Sequence, residues 1–230
     1  MTTIEQTLAG LRAQLIEAKP VLVVIAGPNG AGKTTLYRTR LAALGLPFVN
    51  ADEIALALRT GQRAAPRQWA RLDADAAAQR IADRDRELRL ELNESFMTET
   101  VFSDPVGAKL AWLARAKQHG FDCTLIFIGI SDPVLSEARV LERVRTRGGH
   151  DVPRAKLYER FPRTLANLAR AVPIADTTLL IDNDDDRVPY RPVGLMRLGR
   201  PVWRAGRLPR WLPPPVRAAL QTIRAGRKLS

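Results

Sequence analysis

The sequence predicts an α/β fold, a parallel sheet carrying helices on both faces, from three observations. A run of five apolar residues, Val21 to Ile25, reads as a strand buried on both faces. Directly after it stand Gly27, Gly30 and Gly32, and then Lys33-Thr34-Thr35 opening a helical pattern. Beyond that point, short apolar runs alternate with helical stretches as far as Ile181, the pattern of β-α-β crossovers.

Each element has its own signal. Ile4, Leu8, Leu11, Leu15 and Ile16 recur near a 3.6 period, so Thr3 to Lys19 should be an amphipathic helix ended by Pro20. The helix from Lys33 should run to about Leu44 and stop at Gly45. Leu46 to Asn50 is a short strand that delivers Ala51-Asp52-Glu53 at its carboxyl end. Helical patterns follow at 52–58 and 68–92, separated by a loop over 61–66. Ser95 to Phe102 reads as a third strand, Pro105 to His119 as a helix ending at Gly120, and Phe121 to Ile130 as a long buried strand. Asp132 to Arg147 is helical, Gly148-Gly149 breaks it, and Pro153 to Ala171 resumes it before a last strand at Thr177 to Ile181.

The turn after the first strand carries chemistry. Gly27-x-x-x-x-Gly32-Lys33-Thr34 is the spacing of a phosphate-binding loop, which places the chain among P-loop NTPases of the nucleoside-kinase kind. The glycines let the backbone approach a ligand closely, and Pro28, Asn29 and Ala31 complete the turn. Amides from Gly30 to Thr35, aided by the helix dipole, should cradle phosphate oxygens of ATP or GTP. Lys33 would reach the β- and γ-phosphates, and the Thr34 hydroxyl would ligate Mg²⁺. Ligands bind parallel sheets at the carboxyl ends of strands, where the loop, Asp52 and Glu99 should converge.

Charge divides the chain. The net charge is +12, yet eleven basic residues and no acid follow Asp186, leaving 25 basic and 24 acidic side chains in residues 1–186. This places a kinase domain at 1–186 and a basic, Arg/Pro/Trp-rich extension at 187–230. The extension reads as a solvated arm, as a surface for nucleic acid or an anionic membrane in which Trp203 and Trp211 could stack or seat, or as a contact for a protein partner. Val216 to Arg227 suggests a terminal basic helix. The single cysteine, Cys123, lies in an apolar run and rules out a disulfide within the chain. No run approaches the roughly 20 apolar residues of a membrane span and no secretory signal opens the chain, so a cytoplasmic protein is expected.

The loop Gly27 to Leu36 looks like that of ABC transporter ATPases, but no Leu-Ser-Gly-Gly signature follows. A second resemblance extends further. Ile25 to Thr35, Phe48-Val-Asn-Ala-Asp-Glu-Ile54, Phe96-Met-Thr-Glu-Thr100, Arg147-Gly-Gly-His-Asp-Val-Pro153, Arg160-Phe-Pro-Arg-Thr-Leu-Ala-Asn-Leu168 and Asp182-Asn183 together resemble the zeta toxin family of P-loop kinases. That resemblance implies Asp52 as the base for an attacking hydroxyl, although spacing leaves open whether Asp52 or Glu53 faces the pocket. It implies Glu99 and Thr100, with Asn50, as acceptor contacts. Val101 departs from the Glu-Thr-Thr that the family more often shows.

Two arginines on a hinged helical segment can neutralise charge on a triphosphate in transfer. Arg160 is one candidate, and Arg143, Arg145 or Arg147 the other. His150 has too few neighbours for a metal cluster and reads as a turn residue, and Asn167 and Asp182-Asn183 would shape the nucleotide side. The resemblance further implies a nucleotide-sugar acceptor such as UDP-N-acetylglucosamine and an antitoxin partner. A nucleic-acid-associated ATPase, or a polynucleotide or RNA 5′-hydroxyl kinase using the basic tail, is the rival reading.

Overall fold

In the computed structural model, residues 3–14, 19–147 and 152–226 are described. Gly148, Gly149 and His150 lie outside them. The architecture is a seven-stranded sheet in the order β2-β3-β1-β4-β5-β6-β7. Its first five members, β2 (Phe48–Val49), β3 (Phe96–Thr100), β1 (Val21–Ala26), β4 (Asp122–Gly129) and β5 (Thr177–Asp182), run parallel. Around them lie α1 (Thr3–Gln14), α3 (Ala51–Arg59), α4 (Ala74–Glu91), α5 (Ala108–Gln118), α6 (Pro133–Arg147) and α7 (Arg154–Ala171).

The apolar run at β1 accounts for the layering. Successive strand side chains point to opposite faces, and β1 divides accordingly. Val21, Val23 and Ile25 join one core cluster with Ile126, Ile128 and Leu36. Leu22, Val24 and Ala26 join the other with Phe96, Leu125 and Phe127. All six β1 residues are buried, as a central parallel strand requires. The chain reaches β3 on one side of β1 and β4 on the other, so the carboxyl end of β1 is the crevice where such sheets take ligands.

Boundaries follow local chemistry. The helix opening at Lys33 is α2 (Lys33–Leu36), which widens into a π turn at Tyr37–Leu41 and tightens into a 3₁₀ turn at Ala42–Leu44. Gly45 ends it in the left-handed conformation, as expected. The helix expected from Gln68 starts only at Ala74, because Asp73 caps it by accepting the Ala76 amide at 2.8 Å. A 3₁₀ turn at Arg67–Trp69 occupies the intervening stretch. No helix among the described residues is long and apolar enough to cross a membrane.

The carboxyl-terminal segment corrects the expectation of an arm. β5 is not the last strand: β6 (Arg191–Arg197) pairs antiparallel with it, and β7 (Arg200–Arg204) pairs with β6. A helix α8 (Pro214–Gln221) then packs back, burying Val216 and Leu220 in the same cluster as β1 and β4. The boundary drawn at residue 186 therefore runs through a shared core. Composition misleads here because the arginines alternate with Val193, Leu195, Trp203, Trp211 and Leu212, all buried. Trp203 and Trp211, at 9% and 3% exposed, are not available to stack on bases or sit in a headgroup layer. Trp211 lies against Gly129, where any Cβ would run into its ring. Its indole donates to the Asp182 carboxylate at 2.8 Å, and Arg191 holds the other Asp182 oxygen at 2.6 Å.

Candidate functional site

The glycine turn between β1 and α2 has the shape a phosphate needs. Gly27 sits at φ 148°, where a Cβ would collide with the Ile128 carbonyl, and Gly32 at φ 89° is left-handed. The loop carbonyls are pulled outward by residues from elsewhere. Ser136 Oγ donates to Asn29 O at 2.7 Å, Asn183 Nδ2 to Ala31 O at 2.9 Å, and Tyr190 Oη to Gly32 O at 3.0 Å. The first-turn amides of α2 have no helical acceptor, so they are free for an anion.

Above this turn opens a cleft of about 540 Å³, lined by Gly30, Gly32 and Lys33 to Thr35 on one wall and by Asn50, Asp52, Glu53, Leu56 and Arg59 around α3. Arg139, Glu142, Arg143 and Thr146 of α6 form the facing wall. Glu99, at the carboxyl end of β3, stands at the bottom. Its Oε2 accepts from Thr34 Oγ1 at 2.8 Å and from Asn50 Nδ2 at 2.9 Å, and Lys33 Nζ lies 3.9 Å from Oε1. Lys33 folds back to donate to Pro28 O at 3.0 Å.

The electrostatics are those of a charged recess whose deepest groups, Lys33 and Glu99, are buried. Burial pushes the Glu99 carboxyl above its usual range; Lys33 and the Thr34 hydrogen bond oppose this, while Asp52 and Glu53 add to it. Burial likewise pulls the Lys33 ammonium down, against the attraction of Glu99 and Asp52 and with the repulsion of Arg143. Both shifts mark charges that gain from a compensating ligand. Among the described residues no group of three or more His, Cys, Asp or Glu could hold a metal by itself. Mg²⁺ commonly takes one or two protein oxygens and completes its shell with phosphates and water, and Thr34 Oγ1 and Glu99 Oε2, 2.8 Å apart, are two such oxygens beside the phosphate loop.

The expected residues fall into three groups. Gly27, Pro28, Asn29, Gly30, Ala31, Gly32, Lys33, Thr34 and Thr35 form one turn, and Asp52, Glu99 and Arg143 share the cleft with it. Of the two acids on α3, Glu53 is taken by Arg38 at 3.0 Å, whereas the Asp52 carboxylate has no hydrogen bond or ion pair among the described residues. Asn50 serves from behind: its Oδ1 caps α3 through the Asp52 amide and its Nδ2 holds Glu99, so both ends are engaged within the protein.

The third group stands elsewhere. Thr100 does not line the cleft, its hydroxyl accepting the Phe102 amide at 3.1 Å. Arg160 is half-buried on α7 and is not part of the lining, nor is the exposed Arg145. The Arg147 side chain lies outside the described residues. Asn167 donates to Phe102 O and Asp104 O, away from the loop.

Sequence reasoning missed Ser136, Tyr190, Arg139, Glu142 and Thr146. The last three, with Arg143, recur at i, i+3, i+4 and i+7, a helix-face signature legible in principle. Ser136 and Tyr190 carry no such signal, because their partners are 107 and 158 residues away.

A family model described as an AAA domain matches residues 22–168. Among solved structures, the chain is similar to one from the PezAT chromosomal toxin–antitoxin system of the human pathogen Streptococcus pneumoniae. The identity is 16% and the TM-score 0.52, over 82% of this chain and 80% of that one. It is also similar to the AvrRxo1-ORF1:-ORF2 complex with ATP, at 16% identity and a TM-score of 0.55, over 86% of this chain and 67% of that one. A shikimate kinase from Acinetobacter baumannii in complex with shikimate aligns at 16% identity and a TM-score of 0.44, over 75% and 88%. No curated protein matches the sequence. At these identities the structural likenesses speak for the fold alone. The family match spans more than half of the chain and contains β1, the glycine turn and both cleft walls, so the protein belongs to the AAA-domain family, on an α/β scaffold of the P-loop kinase type.

Proposed function

We propose that the protein is an ATP-dependent phosphotransferase that passes the γ-phosphate to a hydroxyl of a small-molecule acceptor. The observation that carries this reading is the Asp52 carboxylate, which makes no hydrogen bond or ion pair among the described residues and shares the cleft with Glu99 and with the Lys33 and Thr34 of the phosphate loop beside it. An acceptor hydroxyl between Asp52 and the outermost phosphate would lose its proton to that carboxylate as its oxygen bonds to phosphorus. The bond from phosphorus to the β-phosphate bridging oxygen then breaks and ADP leaves. Lys33 and Arg143 spread their charge over the transferring group. Most of the acceleration comes from positioning and charge stabilisation.

Thr34 and Glu99 are the residues that would hold Mg²⁺. Bound there, the ion offsets phosphate charge and the penalty of burying Glu99. This assigns Glu99 to the nucleotide side, through its hydrogen bond with Thr34, and leaves α3 with Asp52, Leu56 and Arg59 for the acceptor. The resemblance to the zeta toxin family favours a nucleotide sugar such as UDP-N-acetylglucosamine as acceptor, and an antitoxin as partner. The likeness to a toxin–antitoxin structure is compatible with that. A polynucleotide acceptor is disfavoured by the burial of Trp203 and Trp211.

The test is incubation with labelled ATP and a panel of UDP-sugars, nucleosides and 5′-hydroxyl oligonucleotides, reading which one gains label. Lys33→Ala should abolish labelling. Asp52→Asn should keep ATP affinity and lower transfer by about 10²- to 10⁴-fold, the usual worth of a general base. Transfer at the wild-type rate in either variant ends the reading.

A further inference from the structure

Tyr190 lies beyond the matched family region and in the segment whose composition suggests an arm, yet it reaches the phosphate loop. Its hydroxyl donates to Gly32 O at 3.0 Å, at the opening of α2. Its own amide donates to Asn183 Oδ1 at 3.0 Å, while Asn183 Nδ2 donates to Ala31 O at 2.9 Å. Two consecutive loop carbonyls are thus held by one linked pair of residues from the β5–β6 connection. The fit is close: a Cβ on Gly32 would stand 2.8 Å from both Asn183 Nδ2 and Tyr190 Oη.

The backbone at Tyr190 supports a dedicated role. It sits at φ 55°, a left-handed conformation uncommon for an aromatic residue. The Asn183 hydrogen bond holds it there, and that geometry aims the ring at the loop. Arg139 fixes the same connection from the other side, donating to Asn183 O at 2.6 Å and pairing with Asp186 at 2.7 Å. The C=O and N–H of one trans peptide point in opposite directions, so the Gly32 carbonyl held by Tyr190, and by the Leu36 amide at 2.9 Å, fixes the Lys33 amide of the same peptide unit on the opposite side.

We propose that Tyr190 is a positioning residue for nucleotide binding: its hydroxyl holds the end of the phosphate loop in the shape that receives a triphosphate. The inference rests on the nucleotide-binding reading of the cleft. It adds that the β5–β6 connection, remote in sequence from the phosphate-loop motif, is part of the nucleotide site's support.

The test is Tyr190→Phe, which removes one oxygen and keeps the ring. Calorimetric titration with magnesium-ATP should show about fivefold weaker binding, the effect of one lost hydrogen bond. The unfolding midpoint without nucleotide should move by no more than about 2 °C, and backbone hydrogen exchange should quicken over residues 27–36 only. Tyr158→Phe, which removes a hydroxyl bonded to Glu137 in the α6–α7 contact, should leave ATP affinity unchanged. Wild-type affinity in Tyr190→Phe, or exchange that quickens across the whole sheet, overturns the proposal. A wild-type protein that binds no nucleoside triphosphate sinks the nucleotide reading itself and the proposal with it.

Discussion

Replacing Trp211 by alanine should cost the protein about 5 kcal/mol of stability. The side chain is 3% exposed, packs against Phe127 with ring centroids 5.7 Å apart, and covers Gly129. A buried tryptophan removes roughly 150–250 Å² from water, worth about 4–6 kcal/mol at about 25 cal/mol per Å² and less once the compactness of the unfolded chain is counted. Measured Phe or Trp to Ala changes in cores run to about 3–5 kcal/mol. The variant also strands Asp182 Oδ1, which accepts the indole proton at 2.8 Å, adding about 1–3 kcal/mol. Against a total stability on the order of 5–15 kcal/mol, that is a large share.

Urea unfolding at 25 °C, followed by far-ultraviolet circular dichroism, reads the loss as a lower midpoint at unchanged slope. Trp211→Phe should cost less, about 1–3 kcal/mol, since much of the packing remains. A loss under about 1 kcal/mol in the alanine variant would show that residues 187–226 rest on the domain without supporting it. Truncation after Asp186 is the harsher form of the experiment. Composition suggests an active core; the structure expects a chain that fails to fold, because β5 loses β6, keeps only β4 and becomes an unprotected edge.

Arg143→Ala should lower phosphoryl transfer by about 10²–10³-fold and Arg160→Ala by less than about tenfold, since of these two Arg143 lines the cleft and Arg160 does not; single-turnover rates with labelled ATP decide, and the reverse order would mean that α7 swings in on closure. Because burial holds the Glu99 pKa above its usual range, magnesium-ATP affinity should fall as pH drops through that raised value, and Glu99→Gln should flatten the dependence. The same shift has the opposite sign for the unliganded fold: the native state binds the proton more tightly than the unfolded chain, so this contribution to stability declines as pH rises from the unfolded to the folded pKa. Cys123, buried with its thiol pushed up to about 12, should resist thiol reagents at pH 8 until the protein is unfolded; labelling of the native protein would contradict its placement.

How much was legible in the sequence follows from how local each signal is. The phosphate loop is specified within ten residues, and the strand before it by continuous apolarity, so both are readable without a partner. The helix stop at Gly45 is equally local; the cap at Asp73 is local too, yet the apolar pattern alone starts that helix at Gln68, five residues before it. Asp52 and Glu99 were placed at the right ends of the right strands because parallel strands all present their carboxyl ends together. What Glu99 touches was another matter. Its hydrogen bond with Thr34 depends on the register Ile25↔Glu99 between β1 and β3, and no spacing in the chain encodes that pairing. The arginines failed for the opposite reason: with Arg139, Arg143, Arg145 and Arg147 on one helix, only the helix's rotation decides which enters the cleft. The tail misled because net charge was read as exposure, whereas alternation of arginine with Val, Leu and Trp is also how a sheet strand with one wet face is written.

The carboxyl-terminal hairpin therefore has two duties that meet at adjacent residues. Asp182 anchors Trp211 and Arg191, tying the last third of the sheet to its parallel core. Asn183, the next residue, holds the phosphate loop through Ala31 O and orients Tyr190 toward Gly32 O. One peptide unit thus separates the bond that fastens the hairpin from the bond that shapes the nucleotide turn. The phosphate-loop motif names the residues that meet the ligand. The shape in which they meet it rests in addition on a side-chain hydrogen bond made 152 residues later in the chain, from Asn183 to Ala31 O.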